Sequence, residues 1–212
     1  MKVRTSWGKS GGQSIRLAAA LAAWLLAGLA SATPASAGSF KVDPVQLSLT
    51  PERKAASLRL TNSDTAPVSV RIVTYHWTQV DGRDVYTPTT NVIASPPIFT
   101  IPAGQTQLIR VGLRDRAKTG AYRVVLEEIP RENPLKGQVQ IILRLNLPLY
   151  VLPKDGGRTE LSWKAWREPS GDVFVEGRNQ GSLHGQILGL SADQNGRRHV
   201  LSTQMGVVLP GS

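Results

Sequence analysis

The chain has 212 residues, 41% of them hydrophobic and 19% charged, a balance that excludes a disordered or collagen-like chain and is ample for a buried core. It holds no Cys and 3 His (His76, His184 and His199), so disulfides, thiolate zinc sites, iron–sulfur clusters and a cysteine nucleophile are ruled out, and a histidine-rich metal site is disfavoured. The formal charge of +10 resembles a nucleic-acid binder's, but Lys2, Arg4, Lys9 and Arg16 lie in an N-terminal stretch without acids, and without them 21 basic side chains face 15 acidic ones.

That stretch is cationic to Arg16, apolar from Leu17 to Leu29, and small at Ala35-Ser36-Ala37. It reads as a secretory signal peptide, 1–37, cut between Ala37 and Gly38. The apolar run, about 13 residues, is short of the roughly 20 that a membrane span needs. No second run of that length follows, so no stable membrane insertion is expected and the mature chain should be exported.

From Ser39 the pattern is short runs of period two, broken by Pro, Gly, Asn and Asp. This spacing predicts an all-β antiparallel sandwich. Ser57–Asn62 alternates and ends on turn residues; Val68–Trp77 alternates and then turns aromatic. Asp81-Gly82 is a turn dipeptide between two strands, and Pro96-Pro97 precedes Ile98–Ile101. Pro102-Ala103-Gly104 leads into Gln107–Leu113, and Ala121–Ile129 supplies a further strand, about six before Val139.

From Val139 to Val151 every odd position is apolar: Val139, Ile141, Leu143, Leu145, Leu147, Leu149 and Val151. The even positions are mixed, so one face of this long strand is wholly aliphatic. Pro148 cannot donate to a ladder, which puts that part on a sheet edge. Periodicity leaves two readings open: a long strand bridging two sheets or domains, or an edge that pairs with another chain.

Pro153–Gly157 has the composition of a linker, and 153–160 is assigned as one. A second β pattern follows over 161–212, with candidate strands Val173–Glu176, Ile187–Leu190 and Arg198–Ser202. The remainder is short for a closed sandwich of about 100 residues. A smaller, incomplete second β domain, as in a truncated chain, is therefore expected.

An enzyme is not indicated. No G-x-S-x-G, H-E-x-x-H or Gly-rich phosphate loop occurs, and the adjacent Glu127 and Glu128 face opposite sides of a strand. Basic residues are dispersed, so no nucleic acid is expected as a partner. No cofactor is called for.

The segments Ser95–Gln105, Tyr122-Arg123 through Glu127-Glu128-Ile129-Pro130, and the alternating Ile141–Val151, in that order, resemble the periplasmic pilus (fimbrial) assembly chaperones. The resemblance covers roughly Phe40 to Pro153, and Gly177–His184 looks like the start of that family's second domain. It implies two immunoglobulin-like domains, here 38–152 and 161–212, and a periplasmic location. It also implies donor-strand complementation: Val139, Ile141, Leu143, Leu145 and Leu147 enter the groove of a pilin that lacks its own final strand, and the complex goes to an outer-membrane usher. The family's carboxylate-anchoring Arg and Lys align with Gln46 and Pro148 here. Arg110, Arg123 and Arg144 are the substitutes offered by the sequence, against the reading that each is solvated or paired within the chain. Glu128 is implied to form a buried structural salt bridge. The competing reading is an exported immunoglobulin-like binding or structural module of the cell envelope, with Trp77, Trp163 and Trp166 exposed.

Overall fold

The computed structural model describes residues 40–115, 119–130, 141–194 and 196–212. The expected signal peptide, its cleavage site at Ala37 and Gly38, and Val139 lie outside them. Two sheets pack face to face in the first part. One has the order β1 (Phe40–Asp43), β3 (Ala55–Asn62), β8 (Thr106–Leu113), β6 (Val92–Ser95). The other runs β2 (Leu47–Leu49), β10 (Arg144–Val151), β9 (Gly120–Glu128), β4 (Val68–Val80), β5 (Arg83–Pro88), with β7 (Ile98–Ile101) also paired to β4.

Alternation explains why these strands stack as two layers. Leu58 and Leu60 of β3, Ile109 and Val111 of β8, and Val124 and Leu126 of β9 point inward and are buried, while Arg59 and Arg110 between them are exposed. The β4–β5 hairpin turns at Asp81-Gly82, where both residues have positive φ (50° and 71°), the pair of conformations a type I′ turn demands. The Ser95–Pro96 bond is cis, as is Asp43–Pro44. Short strands β1, β2 and β6 were not separated by the sequence pattern, because runs this brief carry too few alternations to register.

Past the linker lie β11 (Leu161–Arg167) with β12 (Val173–Asn179), β13 (Gly185–Ile187) with β16 (Gly206–Val208), and β14 (Leu190–Gln194) with β15 (Arg197–Ser202). They form three separate two-stranded sheets. The single strand expected over Ile187–Leu190 is two: β13 ends at Ile187 and β14 starts at Leu190, since each pairs with a different partner across Leu188-Gly189.

One device occurs in both parts. Asn62, fully buried at the end of β3, accepts from the Asp64 N–H and donates to the Ala66 and Ile101 carbonyls. Asn179, at the end of β12, accepts from the Gly181 N–H and donates to the Leu183 and Val208 carbonyls. The N–H groups of the two residues reach the carbonyls of Gln105 and Ser212, each one residue after a positive-φ glycine (Gly104, Gly211). The 161–212 segment thus repeats the corner by which the sandwich joins its third strand to a later one. Both buried amides are fully engaged, which removes the cost of burying them.

Gln79 near the end of β4 ties this segment to the sandwich. Its Nε2 donates to the Val207 carbonyl at 2.8 Å and to Asp84 Oδ1 at 2.9 Å, and its Oε1 accepts from the Leu209 N–H at 2.9 Å. Beside it, Leu209 is buried against Trp77, Ala121 and Tyr150.

Candidate functional site

The aliphatic row divides into two ends. Leu147 (6% exposed), Leu149 (0%) and Val151 belong to the sandwich core, Leu145 packs partly against it, and Leu143 is half-buried. Ile141 is 74% exposed. The expected strand of 139–151 shortens among the described residues to Arg144–Val151, and Leu147 is a core side chain rather than one free to enter a partner.

The reason lies at Glu128. Its own N–H donates to the Leu143 carbonyl at 3.0 Å, but the Leu143 N–H donates to the Glu128 carboxylate, Oε2 at 3.1 Å. A side chain thus stands in for the main-chain acceptor and the ladder ends there. Glu128 was expected in a salt bridge; among the described residues the ion pairs belong to its neighbour. Glu127 bridges Arg71 (2.8 Å) and Arg144 (3.1 Å), because it stands between them in register on the outer face of β4, β9 and β10.

Among the described residues the edge of β10 is open over half its length. On one side it pairs with β9 from Arg144↔Glu127 to Val151↔Gly120; on the other, β2 covers only Leu149–Val151, in parallel. With Leu143 bonded to β9, the even-numbered main-chain groups turn to the other side, as the Leu152 N–H bonding to the Leu49 carbonyl at 2.9 Å illustrates. The N–H and C=O of Arg144 and Asn146 therefore face an edge on which no described strand lies, whereas the Leu149↔Leu47 pairing puts the Pro148 carbonyl opposite β2. Pro148 occupies a place where its missing N–H breaks no bond to β9.

Arg123 is the cross-strand partner of Pro148. Its guanidinium carbon sits 3.7 Å from the centroid of the Trp77 ring and 5.8 Å from that of Tyr86, and its Nε is buried without a hydrogen-bond partner among the described residues. Burial would raise the carboxyl of nearby Asp84, but hydrogen bonds from Gln79 and from the Tyr86 hydroxyl, together with the Arg123 charge, hold it below its ordinary value. Of the three arginines, Arg123 and Arg144 share the outer face of one sheet, where Arg144 is ion-paired; Arg110 stands exposed on the other sheet. Gln46 precedes β2. Trp77 is buried (2%), while Trp163 and Trp166 are half-exposed on β11. The Arg123–Trp77 stack lay beyond sequence reasoning, since it joins residues of two strands through a register that periodicity does not specify.

A cavity of about 500 Å³ lies beside this cluster, lined among others by His76, Trp77, Tyr150, His184 and Ser212. His184 stacks flat on Tyr150, centroids 3.5 Å apart and planes within 4°. Burial lowers the His184 pKa below the ordinary 6.5, so folding favours the neutral ring. The stability from this contact is present above that ordinary value and is lost as the pH falls through it toward the lowered folded value. Urea titrations between pH 7.5 and 5 are expected to show this decline, and His184→Phe, which keeps a ring on Tyr150 but cannot titrate, should flatten it.

No curated protein sequence matches the chain. Solved structures do. The chaperone–tip adhesion subunit complex CsuC–CsuE of Acinetobacter baumannii matches with TM-score 0.65 and 21% identity, over 82% of this chain and 84% of that one. The CupB2 chaperone of Pseudomonas aeruginosa matches with TM-score 0.54 and 16% identity, over 81% and 85%, and the E. coli chaperone DraB with 0.54 and 15%, over 82% and 84%. At such identities they establish a shared immunoglobulin-like fold. The family model of the pili and flagellar-assembly chaperones, PapD N-terminal domain, matches residues 39–156. With that model spanning more than half of its length, and with the two-layer sandwich and the half-open β10 edge in place, the chain belongs to the pili and flagellar-assembly chaperones.

Proposed function

We propose that this chaperone is exported to the periplasm, captures pilus subunits by lending them the outer end of β10, and delivers them to an outer-membrane usher. The observation that carries this reading is the edge from Arg144 to Asn146, open among the described residues, with the side chains of Ile141, Leu143 and Leu145 at its outer end. A subunit lacking a strand presents unpaired main-chain groups and an apolar groove. The edge answers the first and the aliphatic row the second. The partners of similar chaperones fit: a tip adhesion subunit with CsuC, and the SafA pilin with SafB of Salmonella enterica. Residues 38–152 and 161–212 are read as the two domains and 153–160 as their linker.

Arg123 is proposed as the group that grips the subunit's terminal carboxylate. It stands across from Pro148, where the family's lysine would align, and its buried Nε–H is unused. The test is co-purification of a pilin subunit with the full chain, in wild type and in Arg123→Ala and Arg123→Lys. Removing a partly buried charged donor is expected to cost about 2 kcal/mol or more, a loss of at least ~30-fold in affinity. Lysine keeps the charge without the planar fork and should fall between. Equal binding by all three would leave recognition to strand pairing and apolar side chains alone. Failure of the wild type to hold any subunit would sink the whole reading.

A further inference from the structure

We propose that Glu128 is a positioning residue for subunit capture: its carboxylate, by taking the Leu143 N–H, sets the point where β10 leaves the chaperone's own sheet and so aims Ile141 and Leu143 at the partner. This rests on the capture reading above. The geometry is specific. Leu143 and Glu128 are joined by two hydrogen bonds, from the Glu128 N–H to the Leu143 carbonyl at 3.0 Å and from the Leu143 N–H to Glu128 Oε2 at 3.1 Å. In a continuing antiparallel ladder the second would end on the Glu128 carbonyl instead. Because the carboxylate takes that place, the two strands part here: Ile141–Leu143 have no strand conformation, and β10 starts at Arg144. On the other strand the Ile129 N–H already turns to the Ser69 carbonyl at 2.8 Å, so β9 follows β4 while the segment before β10 is released.

The clamp therefore does two things. It stops Leu143 and Ile141 from zipping onto β9, which would draw their main chain into the chaperone's own sheet. It also keeps Leu143 from swinging free, so the row 141, 143, 145 stays in one orientation. Glu127, one residue earlier and on the opposite face, is engaged with Arg71 and Arg144 and cannot substitute.

The test uses the full chain in three forms, wild type, Glu128→Ala and Glu128→Gln, with two readouts. Amide exchange of Leu143, followed by NMR on the free protein, reads the clamp. Dissociation of a pilin subunit that lacks its own final strand reads the positioning. In Glu128→Ala the Leu143 amide should exchange at least about tenfold faster, as expected for losing a charge-assisted hydrogen bond, and the subunit should dissociate several-fold faster. Glu128→Gln keeps a side-chain acceptor and should restore both, whereas a merely structural loss of charge would not be rescued. Unchanged Leu143 exchange in Glu128→Ala overturns the clamp. Faster exchange with unchanged dissociation overturns the positioning role. A wild type that holds no subunit while its Leu143 amide is protected would overturn the capture reading itself and leave the clamp as a purely structural bond.

Discussion

Replacing Ile141 and Leu143 together by arginine is expected to abolish subunit capture while the sandwich keeps its melting curve. Ile141 is largely exposed and Leu143 only half-buried, so the chaperone's own core loses little, and surface substitutions of this kind usually change stability by about 0.5 kcal/mol or less. The partner loses much more. Two buried aliphatic anchors contribute about 1.5 to 3 kcal/mol each, and a guanidinium driven into an apolar groove adds a desolvation penalty. A fall of at least about 100-fold in affinity follows, to be measured by co-purification and by titration with a pilin subunit, alongside circular dichroism. Preserved capture would show that the outer end of the row is not where the partner binds.

Leu149→Ala has the opposite signature. Leu149 is fully buried between the sheets and stands in the stretch of β10 that β2 and β9 enclose. Truncating it leaves a cavity the two flanking strands cannot close, and a loss of about 2 to 5 kcal/mol is expected, read as a shift of the urea midpoint. Capture per folded molecule should change little. If the midpoint stays in place, Leu149 is not the core residue that its burial indicates.

These two substitutions mark how far the sequence could be read. The fold class was legible because half-buried strands carry their inward residues at period two: Leu58 and Leu60 or Ile109 and Val111 announce a face without any tertiary knowledge. Asp81-Gly82 announced its turn for an equally local reason. The row from Ile141 to Val151 was legible as a row, but where core gives way to free surface was not. That boundary is made by β2 on one side and by the Glu128 carboxylate on the other, and neither contact leaves a mark in the alternation. The same holds for the exchange of roles between Glu127 and Glu128, which depends on register, and for Trp77, whose indole is buried beneath Arg123 rather than displayed. Asn62 and Asn179 are different again. Their matching corners are local in sequence, yet Asn62-Ser63-Asp64 and Asn179-Gln180-Gly181 share only the first residue, so the repeat shows itself in hydrogen bonds and not in letters.

The parallel pairing of β2 with the last three residues of β10 makes the strand a ruler with a fixed zero mark. On the capture reading proposed above, a guest strand advancing along the edge is stopped at Pro148, whose carbonyl already faces β2 and which has no proton to give. From Ile141 to that mark the distance is about 23 Å at ~3.3 Å per residue. Three of the described aliphatic side chains, Ile141, Leu143 and Leu145, fall within it clear of the fully buried core. On that reading a groove of matching length would be filled from end to end, one extending past the mark would keep its last pocket vacant, and the length of one short strand, Leu47–Leu49, would limit which guests are held fully closed.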